Sequence, residues 1–398
     1  MPTSDTQTYH VIPLSVQQER DFYLVGNAEM GDFYQFPNQA LEILNMLASG
    51  LSASGIKSQL ALDEEELIDV DSFVSLLSSI GFIHPQDQPS NVHGRIQSAI
   101  GDKRRVFSVD SRIAKVVCSW PVLFLGSCIT LYALFSAIND PALRLNFAAF
   151  YTETNLTLLL LLIITFSLIE LAMHETGHML AAAQHGIKSK YGIGNRLWTI
   201  VAESDLTGIL SLPKSQRYFP MLAGLFVDIF CASLLTILIK FLLRYGASAF
   251  SVQVVQAFVL EIVISMVWQF NIFVKTDIYF VLCNFFSHPD LDREARSYIY
   301  QLLYEFSFGF LGSKSPQPNF RDLFVLRVFT LIWLSGRIFS FIVLFCVAIP
   351  TIVKYIESAV HMLRGPPASI WIACDTLVYV SIMLAMLGVG MYMWLKPR

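Results

Sequence analysis

The chain has 398 residues, of which 54% are hydrophobic and 15% are charged, whereas soluble domains contain roughly 25% charged residues. This composition argues against an ordinary soluble protein, because the apolar runs after about residue 115 are long enough to span a bilayer. The net charge of −4 argues against nucleic-acid binding, and the absence of a hydrophobic N-terminal stretch argues against a signal peptide.

Residues 1–84 form the first predicted domain, a small α+β module with a winged-helix-like arrangement. The segments 23–25 and 33–36 alternate in polarity like strands, and Gly31-Asp32 between them is typical of a hairpin turn. Three segments with apolar residues at helical spacing follow, near residues 40–47, 56–60 and 73–77.

Residues 85–115 are predicted to be a basic linker, and residues 116–398 a transmembrane domain of about six helices. The spans are expected at about 116–138, 156–185, 220–243, 250–287 (long and broken), 323–353 and 370–395. Lysine and arginine are concentrated in the linker, in the loops after the second and fourth spans, and at the C-terminus. The positive-inside rule therefore predicts that both termini are cytoplasmic.

The second predicted span contains His174-Glu175-Thr176-Gly177-His178, an H-E-x-x-H pattern on an apolar helix. Histidines at positions i and i+4 lie on one helix face and can share a divalent metal, usually zinc. Glu175 is placed to take a proton from a water molecule at that metal. Glu170, one turn earlier, extends the same face as a candidate polar contact. Ionisable groups at membrane depth are costly and tend to be functional.

A catalytic zinc site needs a third protein ligand besides the two histidines. The metzincin spacing would place a histidine at position 184, but that residue is Gln184. The remaining candidates are carboxylates in or near later spans: Asp277, Asp228, Glu261 and Glu203. Expected depth in the membrane favours Asp277 and Asp228 equally.

The segment His174–Gly186 resembles the signature helix of the site-2 protease family of intramembrane metalloproteases. Asn271–Asp277 is similar to the family's later ligand segment, with the spacing of its peptide zinc metalloprotease branch, and Leu222–Asp228 resembles its third-span motif. The branch has a proline and a glycine where this chain has Ile272 and Ile278.

This resemblance implies that Asp277 is the third zinc ligand. It also implies that Asp228 contacts the substrate or supports a metal ligand. We expect the same kind of role for Asn271, in the same segment as Asp277, and for Glu170. The implied architecture is a polytopic α-helical zinc peptidase.

The N-terminal module is similar to the winged-helix domains that recognise leader peptides of ribosomally made, modified peptides. Gly50, Ile56, Phe73 and the segment Gly81–Ile83 carry this resemblance. Between the second and third spans, residues 197–210 are predicted to form a β-hairpin that turns at Glu203-Ser204-Asp205 and lines the active site.

The sequence therefore predicts an intramembrane zinc metallopeptidase in which Glu175 activates water. Its substrate is expected to be a ribosomally made peptide or a single-span membrane protein, with a peptide exporter as a further partner and no nucleic acid. The expected location is the inner membrane of a bacterium. Two alternatives stay open: a peptide-binding transport or immunity factor with a structural zinc site, and a regulatory protease gated by its N-terminal domain.

Overall fold

The computed structural model is mostly helical and falls into two compact units. It describes residues 7–28, 30–60, 68–86, 105–107, 109–150, 155–196, 199–288, 290–310, 323–343, 345–346, 349–350, 353, 356–357, 360 and 370–395. The first unit comprises residues 1–108, 185–192 and 205–217, and the second comprises 109–184, 193–204 and 218–398.

The N-terminal part of the first unit contains two antiparallel sheets. Strands β2, β3 and β4 form one sheet in that order, and β1 pairs with β5 in the other. The predicted hairpin is confirmed, because β3 pairs with β4 in a register that aligns Val25 with Tyr34. The strands are β1 Tyr9–Val11, β2 Ser15–Gln18, β3 Tyr23–Asn27, β4 Asp32–Phe36 and β5 Ile83–Pro85.

Three helices cover the sheet and close a small hydrophobic core. They are α1 Asn38–Ala48, α2 Ala53–Leu60 and α3 Val70–Ser79, at the three positions that the apolar spacing predicts. The core includes Val25, Leu47, Leu77 and Phe82, all fully buried. Each such side chain contributes about 1.5–3 kcal/mol relative to an exposed position.

A later part of the chain completes the first unit. The 3₁₀ turn Thr207–Ser211 packs on β2, β3 and β4, and the side chain of Gln17 donates to the carbonyl of Ser211 at 2.7 Å. Arg217 forms a buried ion pair with Glu19 at 2.6 Å and also donates to the carbonyl of Leu212. The sheet is therefore bonded to the segment that leads into the next long helix.

Two details of this region differ from the sequence predictions. The predicted linker contains a short strand, β6 (Arg105–Phe107), which pairs with the start of β7 (Ser189–Arg196). Strand β8 spans Thr199–Asp205, so the predicted turn at residues 203–205 is wrong, because those residues are extended beside β7. The two strands are separated only by residues 197 and 198.

The second unit is built on long apolar helices. Four helices in the described part of the chain are long and apolar enough to cross a membrane, so the chain has the character of a membrane protein. They are α5 Trp120–Asn139, α6 Leu156–Ala183, α7 Lys214–Arg244 and α8 Ala249–Trp268; a short helix, α4 (Ser111–Val117), precedes them. The first four residues of α7 belong to the first unit.

The chain leaves α-helical geometry after α8, inside the segment predicted as a broken span. A 3₁₀ turn, Ile272–Val274, carries it to α9, which begins at Asp277. Ile272, Tyr279 and Phe329 lie in the core that joins these elements to the following helices. The remaining helices are α9 Asp277–Phe286, α10 Leu291–Phe306, α11 Leu323–Val343 and α12 Ile370–Leu395.

Candidate metal centre

The structure brings together side chains from α6 and from the first residue of α9. His174 and His178 project from α6, and their Nε2 atoms lie 3.1 Å apart. Oδ2 of Asp277 lies 3.0 Å from Nε2 of His174 and 3.2 Å from Nε2 of His178. Both histidines are buried, and the side chain of Asp277 is 22% exposed. These three residues could hold a metal ion.

Hydrogen bonds on the far side of each imidazole fix which nitrogen faces the centre. Nδ1 of His174 lies 2.8 Å from Oδ2 of Asp228, and Nδ1 of His178 lies 2.7 Å from the carbonyl oxygen of Pro220. Because a carbonyl and a carboxylate can only accept, each Nδ1 carries the proton and donates it. When each ring is neutral, its Nε2 lone pair therefore faces the carboxylate oxygen of Asp277. Two such lone pairs and one carboxylate oxygen make a ligand set that a cation can bridge.

The spacing of these three atoms fits a small tetrahedral ion. Zinc bonds of about 2.0–2.1 Å at tetrahedral angles separate neighbouring ligand atoms by about 3.3 Å, close to the distances found here. Ligands donated by two histidines and one carboxylate are typical of catalytic zinc sites.

Gly224 of α7 leaves the space that such an ion would need. A Cβ atom built on Gly224 would lie 2.5 Å from Nε2 of His174 and closer still to Nε2 of His178. Gly177 of α6 faces α7 in turn, where an added Cβ would lie 2.7 Å from a methyl carbon of Val227. Small residues let helix backbones approach closely, and here they set α7 directly against the histidine face.

Asp277 is positioned by the break between α8 and α9. The hydroxyl of Thr276 donates to the carbonyl of Gln269 at 2.5 Å, and the backbone N–H of Asp277 donates to the side-chain oxygen of Gln269 at 3.3 Å. Lys275 has a left-handed backbone conformation and pairs with Asp290 at 3.3 Å. Lys275 is thus directed to a different carboxylate, and Asp277 faces the histidines.

Glu175 lies beside the metal ligands in sequence and is held by a strand of the same unit. Its Oε2 atom accepts a hydrogen bond from the backbone N–H of Ser204 in β8 at 2.9 Å. The side chain is 9% exposed. The strand predicted to line the active site therefore reaches the glutamate of the H-E-x-x-H pattern through a main-chain atom.

The other candidate carboxylates take different places. Glu170, His174 and Asp228 form a second group with ligand atoms within 4.8 Å of one another, but Nδ1 of His174 already donates to Asp228 there. Glu261 accepts from the hydroxyl of Ser167 at 2.8 Å. The side chain of Glu203 lies outside the described residues. Among the candidates whose side chains the structure describes, Asp277 is the one with an oxygen within 3.2 Å of both Nε2 atoms.

Asn271 lies in the break between α8 and α9. It is buried and immediately precedes the 3₁₀ turn, where its carbonyl accepts from the N–H of Val274 at 3.0 Å. Asn271 thus belongs to the structural break that presents Asp277.

Four contributors to the site were not predicted from the sequence: Pro220, Gly224, Ser204 and Gln269. Pro220 and Ser204 act through main-chain atoms, which carry no residue signature. The sequence signal for Pro220 and Gly224 is that a proline and a glycine lie one turn apart in an otherwise apolar span. Both residues are unfavourable inside a helix, so their presence there indicates a packing or functional role.

Comparisons with known proteins found no matching family model, no significantly similar curated protein and no significantly similar solved structure.

Proposed function

We propose that this chain is an integral-membrane zinc metallopeptidase that hydrolyses a peptide bond within or beside the bilayer. The observation that carries the proposal is the convergence of two histidine Nε2 atoms and one carboxylate oxygen, with Glu175 adjacent to His174 in the same helix. The resemblance of His174–Gly186 and Asn271–Asp277 to the site-2 protease family supports the same assignment.

In the proposed mechanism, His174, His178 and Asp277 hold the ion. Bound zinc would supply a Lewis acid that polarises the scissile carbonyl and makes water reactive near neutral pH. Glu175 takes a proton from the attacking water and passes it to the leaving amine. The Ser204 N–H holds the Glu175 carboxylate, while Asp228 and the Pro220 carbonyl keep both imidazoles in the tautomer that binds metal.

The substrate would meet Glu175 in an extended conformation. A helix hides its backbone carbonyls in internal hydrogen bonds, so a helical substrate has to unwind before water can attack it. Strand β8 lies beside Glu175 through Ser204, and a strand edge is a natural template for an extended peptide. We infer that β7 and β8 guide the unwound segment.

The N-terminal module is proposed to recruit a ribosomally made peptide, in keeping with its likeness to winged-helix leader-recognition domains. Its three-stranded sheet followed by three helices is consistent with such a module. We further propose six spans, with cytoplasmic termini, in a bacterial inner membrane. Peptide maturation or leader removal before export is the biological role that fits these elements, with a peptide exporter as partner.

The decisive experiment compares the wild-type chain with Glu175→Gln in cells. New protein N-termini are identified by mass spectrometry, and zinc in the purified proteins is measured by plasma mass spectrometry. We expect Glu175→Gln to keep one zinc per chain and to lose the wild-type cleavage products. Cleavage that persists in a zinc-loaded Glu175→Gln protein would exclude the mechanism. Peptide transport or immunity that persists without cleavage would favour a transport or immunity factor with a structural zinc site.

A regulatory protease is a second candidate, favoured by the bonds that tie the N-terminal sheet to residues 205–217. This segment includes the first four residues of α7, the helix that also carries Pro220, Gly224 and Asp228. Disrupting the Arg217–Glu19 pair separates the two roles. Faster or less selective cleavage by such a variant indicates gating, whereas loss of one peptide substrate alone indicates recruitment.

A further inference from the structure

A groove of about 680 Å³ runs between α5, α7 and α8, away from the metal centre. Its volume lies within the roughly 300–1,000 Å³ typical of small-molecule sites. Most of the lining is apolar and includes Leu134, Ala137, Ile229 and Val263. The metallopeptidase chemistry proposed above uses none of these side chains.

The polar groups inside the groove are already satisfied by the protein. Ser233 bonds to the carbonyl of Ile229 at 2.7 Å and to the hydroxyl of Thr130 at 3.2 Å. Thr236 donates to the carbonyl of Ala232 at 2.8 Å. Because these hydroxyls have partners, the interior requires no hydrogen bonds from an occupant and suits hydrocarbon.

One end of the groove is positively charged. Arg144 is part of the lining and donates to the carbonyl of Ile138 at 3.0 Å. Lys240 donates to the hydroxyl of Ser136 at 3.2 Å, two residues from Ile138 along α5. Both cations are exposed, and neither forms an ion pair with a carboxylate in the part of the chain that the structure describes. Arg144 therefore places one cation in the groove, and Lys240 lies one helical turn beyond Thr236, which lines the same groove.

The length of the groove matches one leaflet of a membrane. From Thr130 to Ile138, α5 lines it over nine residues, whose eight helical steps span about 12 Å. Half of the hydrocarbon core of a bilayer is about 15 Å thick. An occupant whose head lies at Arg144 would extend along the groove to about the bilayer midplane.

We propose that this groove binds an anionic phospholipid, with an acyl chain between α5, α7 and α8 and the phosphate at Arg144 and Lys240. Basic pockets between transmembrane helices commonly bind anionic lipid headgroups. The apolar groove would take the acyl chain of such a lipid, and the cations at its end would take the phosphate. The lipid would join α5 to α7 and α8 on the membrane-facing side of the bundle. Under the topology proposed above, it belongs to the outer leaflet.

The test is native mass spectrometry of the full chain, purified in detergent and supplied with dioleoyl phosphatidylglycerol or dioleoyl phosphatidylcholine. We expect the wild-type chain to retain phosphatidylglycerol in preference to the zwitterionic lipid. Each cation near a membrane surface contributes roughly a fivefold gain in affinity, so Arg144→Gln with Lys240→Gln should lower retention of phosphatidylglycerol about 25-fold. The matched control removes the same charge from α4 through Arg112→Gln with Lys115→Gln, and it should retain the lipid.

A second variant tests the acyl-chain position independently of charge. Ala137→Phe fills the groove and should lower the retention of both lipids, while the protein still elutes as a single species. Equal retention of phosphatidylglycerol by the wild-type chain and the charge-removed variant would overturn the proposal. So would wild-type retention by Ala137→Phe, or a photocrosslink from position 137 to a protein helix and not to lipid. These measurements do not involve peptide cleavage, so their outcome is independent of the proposed enzyme activity.

Discussion

Asp228 offers the most informative single substitution, because it could either support the metal-binding tautomer of His174 or bind the metal itself. As a supporting residue, it accepts the Nδ1 proton of His174 at 2.8 Å and leaves Nε2 free for the metal. As a ligand, it would replace Asp277 in the first coordination shell. Asp228→Asn keeps an acceptor oxygen of similar size while removing the negative charge, so it weakens the supporting role without emptying the position.

The expected loss follows from the contact itself. Replacing a partner that orients a metal-binding histidine costs about 10–100-fold in metal affinity, or about 1.4–2.8 kcal/mol. Asp277→Ala removes a ligand whose oxygen lies within 3.2 Å of both Nε2 atoms, so its loss should be the larger of the two. Glu261→Gln is the matched control, because it neutralises a half-buried carboxylate that bonds to Ser167 and, among the hydrogen bonds of the described residues, not to either histidine ring.

Zinc affinity is measured by competition with a fluorescent chelator, and stoichiometry by plasma mass spectrometry. We expect the wild type and Glu261→Gln to bind one zinc with equal affinity. Asp228→Asn should bind one zinc 10–100-fold more weakly, and Asp277→Ala should bind more weakly than Asp228→Asn. The opposite order, with Asp277→Ala at wild-type affinity and Asp228→Asn unable to bind, would refute the assignment of Asp277 as third ligand.

Three further predictions concern packing around the site and in the first unit. Gly224→Ala should abolish zinc binding, because the added Cβ would lie 2.5 Å from Nε2 of His174. Gly126→Ala is the control, since its added Cβ would lie 3.7 Å from Phe230. Equal zinc content in the two variants would contradict the steric argument. Leu47→Ala should destabilise the N-terminal module by about 2–5 kcal/mol, whereas the 52% exposed Leu76→Ala should have an effect within about 0.5 kcal/mol. Hydrogen exchange of residues 7–86 measures both, and similar protection in the two variants would argue against the buried position of Leu47. Glu19→Gln should destabilise the first unit by about 3–5 kcal/mol, because it leaves the Arg217 charge buried beside a neutral group. Arg217→Met, added to Glu19→Gln, should restore part of the lost free energy of unfolding, which a denaturant titration measures. If the effects of the two substitutions simply add, the two side chains are not coupled.

The parts of the fold that could be predicted from the sequence are those encoded locally. The β3–β4 hairpin follows from Gly31-Asp32 between two alternating segments, and the long helices follow from apolar runs. Strand β7 could not be found this way, because its sequence includes Gly192 and Gly194, which weaken strand propensity. Its pairing with β6 joins residues more than 80 positions apart, so neither strand carries a local signal for the other.

The residues of the candidate site likewise divide into those that the local sequence identifies and those that depend on tertiary packing. His174, Glu175 and His178 share one helix turn and are recognisable from spacing alone. Expected depth in the membrane makes both Asp277 and Asp228 candidates for the third ligand. Only the family resemblance favours Asp277 over Asp228. The contributions of the Pro220 carbonyl and Gly224 depend on how α7 packs against α6, which is a tertiary property with no fixed residue pattern.

The contact between Ser204 and Glu175 has a consequence for how freely this region can vary. Nineteen of the twenty amino acids offer the same main-chain donor, and proline alone removes it. Position 204 can therefore exchange side chains while the main-chain hydrogen bond to Glu175, the proposed general base, is kept. If the proposed peptidase activity holds, side chains on strand β8 can vary with the substrate while the backbone of the strand continues to hold Glu175.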